Sequence, residues 1–159
     1  MERITLEEYF GPYLSGGEDT PAMRANAAQL LDAVNAALEA AIADGVPLMP
    51  NPVTGSYVSG DGHGGFRDSH CTVGAKNSRH RSAQAVDIYD PMRRLAAWAV
   101  QHGPRLIALG LLGMERPEWT PTWVHWQSPR VASGTWCFIP SSAAPAAAQL
   151  PEQLEVAKI

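Results

Sequence analysis

His80, Asp87 and His125 are the residues of this chain whose types and spacing allow metal chemistry. The first two lie in Ser78-Arg79-His80-Arg81-Ser82-Ala83-Gln84-Ala85-Val86-Asp87, and the third in Trp123-Val124-His125-Trp126. Two imidazoles and a carboxylate suit a zinc ion. Three protein ligands leave the fourth tetrahedral position open for water, as catalytic zinc sites do and closed structural sites do not. On one rigid helix, residues seven apart are separated by roughly 10 Å, too far to share an ion. A loop carrying His80 into a strand carrying Asp87 brings them together. Each residue also has a plainer reading. A lone histidine is more often hydrogen-bonded than ligating, and Asp87 alone could cap or pair.

The flanking residues predict elements that can present these groups. Ala83, Ala85 and Asp87 alternate with Gln84, Val86 and Ile88 at the strand period of two. Asp87 then shares a face with small side chains that leave room for an ion. Thr122 to Gln127 is rich in aromatic and β-branched residues and reads as a second strand, with Trp123, His125 and Gln127 on one face and Val124 and Trp126 on the other. Upstream, Thr20, Pro21 and Gly45 bracket a helix from Pro21 to Asp44, whose Leu30, Leu31, Val34, Leu38, Ala41 and Ile42 form one apolar stripe. Residues 47–76 are rich in Gly, Pro and Ser, with a short strand expected near Ser56 to Ser59. A loop this long suits the rim of an active site. Asp90 and Pro91 open another helix to about Gln101. An apolar segment runs from Leu106 to Leu112, and a last strand is expected from about Gly134 to Ile139. These elements predict an α+β domain over 1–140, with helices flanking a small antiparallel sheet that carries the metal site. Residues 141–159 form an Ala/Pro-rich tail of low complexity.

The run from Ser78 to Asp87 resembles the Ser-x-His-x-x-Gly-x-Ala-x-Asp signature of the zinc D-alanyl-D-alanine metallopeptidases. That group includes phage L-alanyl-D-glutamate endopeptidases and the zinc-bearing domain of hedgehog proteins. Trp123-Val124-His125 looks like the second histidine motif of the same group. Ser59-Gly60 with Gly65-Phe66-Arg67 resembles a split form of its Ser-Gly-Tyr/Trp-Arg element, and Arg24 to Val34-Asn35 looks like the leading helix of versions found in phage genomes. The likeness spans about Ile4 to Pro140. It implies Zn2+ held by His80, Asp87 and His125, and cleavage of peptidoglycan stem peptides by a carboxypeptidase or endopeptidase. It also implies an Arg67 that binds substrate and stabilises the tetrahedral intermediate, with Ser78 as a further substrate contact; Gln127, on the same strand face as His125, is placed either to support that histidine or to bind substrate.

Two departures stand out. Ala83 replaces the glycine of the signature, a mild change at negative φ and a strained one at positive φ. Thr122 stands where better-known members carry the general base, three residues before the second histidine, and a threonine cannot take a proton near neutral pH. Glu115, in Met114-Glu115-Arg116-Pro117-Glu118, is the preferred substitute; its plainer reading is a solvated loop charge or a partner for Arg116. For Arg67 the plainer reading is a surface pair with Asp61 or Asp68.

The other histidines carry weaker cases. His63 sits in a Gly-rich loop that can line the cleft. His70 is adjacent to Cys71, but neighbours on an extended segment point apart. His102 is expected against the carbonyls ending the second helix.

Composition narrows the function classes. A net charge of −4 with 12 Lys and Arg offers no basic footprint for nucleic acid. Cys71 and Cys137 cannot form a disulfide framework and read as free thiols. No segment has the length and apolarity of a membrane span. The acidic N-terminal stretch lacks the features of a signal peptide. The expectation is a protein made in the cytoplasm and carried in a phage virion or released at lysis. Alternatives are a virion structural protein on a peptidase-like fold, touching other virion proteins through its tail, and a binding module that recognises cell-wall peptides without cutting them.

Overall fold

The computed structural model describes residues 3–140; the tail at 141–159, with its expected virion contacts, lies outside the described residues. The chain opens with a short helix, α1 (Leu6–Phe10). Thr5 caps it by accepting from the Glu8 amide at 3.2 Å, and the Glu8 carboxylate accepts from the Thr5 amide at 2.7 Å. This reciprocal box stabilises a helix too short to show an apolar period. A 3-10 turn at Gly11–Tyr13 follows. Then comes the long helix α2 (Pro21–Ala43), capped by Thr20 on the Met23 amide at 3.3 Å and released at Gly45, whose φ is +86°. Leu30, Leu31, Val34, Leu38 and Ala41 are buried along it, as their spacing predicts; Ile42, at the edge of the stripe, is 39% exposed. Asn35 sits on this apolar face without penalty. Its side chain accepts from the Ile4 amide at 2.9 Å and donates to the Ile4 carbonyl at 3.0 Å, so its polar groups are satisfied and the N-terminal segment is pinned.

The sheet has four strands in the order β1 (Ala85–Tyr89), β3 (Trp123–Gln127), β2 (Gly113–Glu115), β4 (Cys137–Phe138). β1 and β2 both pair antiparallel with β3, and β4 pairs parallel with β2. The sheet is therefore mixed, which corrects the expected all-antiparallel sheet. Parallel pairing arises because β2 and β4 enter from the same end, with the whole of β3 and its flanking loops connecting them. The last strand is also shorter than expected, two residues in place of six. Near Ser56 to Ser59 there is no full strand. Val58 bridges Ile88, and the Ser59 and Tyr89 amides bond to Asp87 and Tyr57 carbonyls at 2.7 and 2.8 Å, covering the free edge of β1.

Two further helices follow β1. α3 (Arg94–Gln101) starts later than Asp90, because the Asp90 carboxylate stays outside and accepts from the Arg94 and Ala96 amides at 2.9 and 2.8 Å. The apolar segment beginning near Leu106 belongs to a helix, α4 (Gly103–Leu109), which ends at Gly110 with φ +101°. His102 sits at the junction and bonds the Trp98 carbonyl at 2.8 Å, as expected of a residue closing α3.

Alternation along the strands divides the sheet's two faces. Val86, Ile88, Met114, Val124 and Trp126 join Tyr9, Phe10, Leu30, Leu38 and Leu106 in one apolar core. The opposite face carries the polar residues described below. Among the described residues, no helix is long and apolar enough to cross a membrane.

Candidate metal centre

Asp87 and His125 sit directly opposite each other on β1 and β3. On the next pair, Gly113 faces Gln127 and Met114 faces Trp126. Continuing that register by one residue sets Glu115 beside His125. Glu115 in turn faces Phe138 on β4. One row across the sheet, β1 to β3 to β2 to β4, thus reads Asp87, His125, Glu115, Phe138. All four line a cavity of about 420 Å³, along with Arg67 and His80.

His80 reaches this row from the 3-10 turn Arg79–Ser82, which Ser78 caps by accepting from the His80 amide at 3.4 Å. The turn ends at Ala83, with φ +54° and ψ +36°. This is the left-handed conformation, so replacing the signature's glycine by alanine is the strained case. The strand begins only at Ala85. The kink is what folds His80 back over Asp87 despite their separation in sequence.

The three candidate ligands are buried and close. His125 Nδ1 lies 2.8 Å from Asp87 Oδ1, His80 Nε2 lies 3.4 Å from the same oxygen, and the two histidine nitrogens are 3.3 Å apart. In a tetrahedron with bonds of about 2.0–2.1 Å, ligand atoms are separated by roughly 3.3 Å. Two of the three edges match that value, and the third is a hydrogen bond that an ion would replace. The donor atoms converge within 4.8 Å, so the cluster can bind a metal.

Surrounding groups orient each ligand. The Gly65 carbonyl accepts from His80 Nδ1 at 2.7 Å, which turns the lone pair of Nε2 toward the cluster. Arg67 Nη2 donates to Asp87 Oδ2 at 2.9 Å, leaving Oδ1 for the imidazoles. Arg67 is therefore buried and paired with Asp87; the pairing with Asp61 or Asp68 is not observed. Its Nε also donates to the His63 carbonyl at 2.6 Å. Gln127 lines the cavity and donates through Nε2 to the Pro129 carbonyl at 2.9 Å.

Burial and charge tune these groups in opposite directions. Burial lowers the pKa of His80, against the upward pull of Asp87. Burial acts downward on His125 too, but its hydrogen bond to Asp87, with the charges of Asp87 and Glu115, leaves it raised above 6.5. Burial opposes the Asp87 carboxylate, yet its imidazole neighbours outweigh this and hold it far below the ordinary range.

Glu115 is half-buried at the end of β2 and is not a loop charge. Burial raises its pKa, His125 and Arg67 oppose this, and Asp87 adds to it. Among the described residues Arg116 pairs at 3.6 Å with Glu118, not with Glu115. Thr122 is exposed and absent from the cavity lining; its carbonyl accepts from the Asp90 amide at 2.9 Å.

Some residues escaped sequence reasoning. Trp119, Phe138, Asn77 and Arg79 line the cavity, with Val73 and Gly74 from the Gly-rich loop that was expected at the rim. Trp123 was placed on the His125 face by strand alternation, and it lines the cavity too. The imidazole beside Cys71 belongs to His63, not His70: Sγ lies 3.7 Å from His63 Nδ1, which also meets the Tyr13 hydroxyl at 2.8 Å. Cys71 and Cys137 are both free.

Comparisons of the chain with protein-family models, curated proteins and solved structures gave no significant match.

Proposed function

We propose that the protein is a zinc-dependent peptidase that cleaves peptidoglycan stem peptides. The reading rests above all on Glu115, a carboxylate of raised pKa on the same sheet row as Asp87 and His125 and in the same cavity as His80. A metal-ligand cluster with a titratable carboxylate beside it is the minimum equipment for metal-assisted hydrolysis. The resemblance of Ser78 to Asp87 and of Trp123 to His125 to the D-alanyl-D-alanine metallopeptidases narrows the metal to zinc and the substrate to cell-wall peptides.

A zinc ion held by His80, Asp87 and His125 would supply a Lewis acid that polarises the scissile carbonyl and makes the attacking water more acidic. The chain's own residues do the rest. Glu115 takes the proton of the attacking water and returns it to the leaving amine. Arg67 keeps Asp87 in place through Oδ2. Gly65 fixes the tautomer of His80. Burial raises the basicity of Glu115 toward the working pH, which suits a proton shuttle better than an ordinary exposed glutamate.

A second reading follows from Thr122. The residue at the usual base position is exposed and engaged through its main chain, as expected of a peptidase fold retired to a virion structural role or to binding cell-wall peptides. The deciding experiment is mass spectrometry of purified Gram-negative and Gram-positive peptidoglycan after incubation with zinc-loaded protein, with His80→Ala as control. New muropeptides absent from the control support the peptidase and identify the bond cut. No products from any wall type favour the second reading.

A further inference from the structure

What aims the candidate ligands lies behind them, in the extended segment 64–67. The Gly64 carbonyl accepts from the Asp87 amide at 2.7 Å, and the Gly65 carbonyl meets His80 Nδ1 at 2.7 Å. The Arg67 amide donates to the His80 carbonyl at 3.4 Å, while its guanidinium holds Asp87. Gly64, Gly65 and Arg67 therefore each touch a ligand residue. How accurately they aim it depends on what fixes the segment itself.

The remaining residue, Phe66, points to Tyr9. Its amide donates to the Tyr9 carbonyl at 3.0 Å, and its ring lies 5.1 Å from that of Phe10. Gly65 passes so close that a Cβ on it would overlap the Tyr9 carbonyl. Only a glycine fits there, and the segment cannot shift toward α1 without displacing Tyr9.

The side chain of Tyr9 reaches the other way. Its hydroxyl donates at 2.9 Å to the carbonyl of Ala85, the first residue of β1, two before Asp87. The ring is fully buried, so this bond is made out of water, and losing the hydroxyl leaves the carbonyl without that partner. One residue thus grips both the segment that orients His80 and the strand that carries Asp87. These lie on either side of the left-handed turn at Ala83. The helix that bears Tyr9 is itself fixed, by the Thr5 and Glu8 capping box and by the two bonds from Asn35 to Ile4.

We propose that Tyr9 is a positioning residue of the metal centre. Its carbonyl and hydroxyl set the spacing between the His80-orienting segment and the Asp87 strand, and through that spacing the affinity for the ion. Tyr9 is absent from the cavity lining and acts only through its neighbours. The proposal rests on the metal site and not on peptide cleavage.

Tyr9→Phe removes the hydroxyl and keeps the ring and the main chain. Zinc affinity is measured by competition with a chromophoric chelator. It falls about tenfold, the lower end of what is lost when a group that orients metal ligands is removed. Cobalt loaded in place of zinc reports the ligand geometry through its visible spectrum, which changes in Tyr9→Phe. Leu38→Val is the control for stability alone, since Leu38 is a fully buried core residue of α2 whose side chain makes no hydrogen bond. It lowers the melting temperature of the metal-free protein and leaves both zinc affinity and the cobalt spectrum as in the wild type. Wild-type zinc affinity in Tyr9→Phe, an unaltered cobalt spectrum, or equal losses in Leu38→Val overturns the proposal. A wild type that takes up neither ion overturns it together with the metal site. No readout uses turnover, so the failure of the peptidase reading is a separate result.

Discussion

Arg67 holds Asp87 by the one carboxylate oxygen that His80 and His125 leave free. The contact is 2.9 Å, and the two side chains are only 10% and 12% exposed. The pair keeps a buried carboxylate aligned before any ion arrives, so the site is assembled by the protein and not by the metal.

Removing that arginine should therefore be costly chiefly in the metal-free protein. Breaking a buried ion pair from one side typically costs about 3–5 kcal/mol. Arg67→Gln is expected to lower the melting temperature strongly in chelator and distinctly less with excess zinc, because the ion takes over the neutralisation of Asp87. Equal losses in both conditions, read by thermal denaturation, would show that Arg67 acts elsewhere.

Loss of either imidazole should empty the site while sparing the fold. His80→Ala and His125→Ala each remove one of three donors. Changes to residues that merely orient ligands already cost 10–100-fold in metal affinity, so an affinity drop of more than about 100-fold is expected. Metal analysis after gel filtration checks this, with circular dichroism as the control for folding. Zinc retained at full occupancy in either variant would refute the ligand assignment.

Glu115 separates binding from chemistry. Glu115→Gln should keep its zinc and lose activity by about 10²–10⁴-fold, the usual contribution of a positioned acid–base group. The wild-type pH profile carries the same information. A base acts only when ionised, and burial raises Glu115 above its ordinary 4.5. Activity should thus fall as pH drops through a midpoint above 4.5. An acid limb at or below 4.5 would point to another base.

Ala83 offers a test of backbone strain. Its left-handed φ favours glycine, while its buried methyl favours alanine, and the two effects oppose each other. Ala83→Gly should stay within about 1 kcal/mol of wild type. Ala83→Val, which adds a β-branch to a strained and buried position, should lose at least about 2 kcal/mol. Chemical denaturation compares the two, and a valine variant as stable as the glycine one would mean that the turn relaxes freely.

Legibility in the sequence followed the range of the interactions. Helix α2 could be read because Thr20, Pro21 and Gly45 mark its ends locally and its leucines repeat. Helix α1 was overlooked although Thr5 and Glu8 spell its capping box, since five residues are too few to show a period. The strands carrying Asp87 and His125 were legible from alternation, and with them the shared face of His125 and Gln127. The partner of Arg67 was not. Acids nearby in sequence, Asp61 and Asp68, were the natural candidates, whereas the real partner lies twenty residues on, where burial makes the pair worthwhile. The direction of β4 was equally hidden, because a two-residue strand has no pattern of its own and takes its orientation from the connection that delivers it. Glu115 is singled out in the sequence by its carboxylate and its place before the Pro-rich turn into the His125 strand, but its position beside His125 depends on strand order.

The direct opposition of Asp87 and His125 across β1 and β3 has a consequence for how the chain reaches its native state. Side chains in a strand alternate faces, so slipping the pairing by one residue turns every group over. Such a misaligned hairpin would drive the imidazole of His125 into the apolar interior and turn the indole of Trp126 out onto the cavity floor. Two faults would appear together, a desolvated polar ring and a wetted aromatic one. The sheet thereby proofreads its own alignment, and the residues that perform the chemistry are also those that reject a wrong assembly.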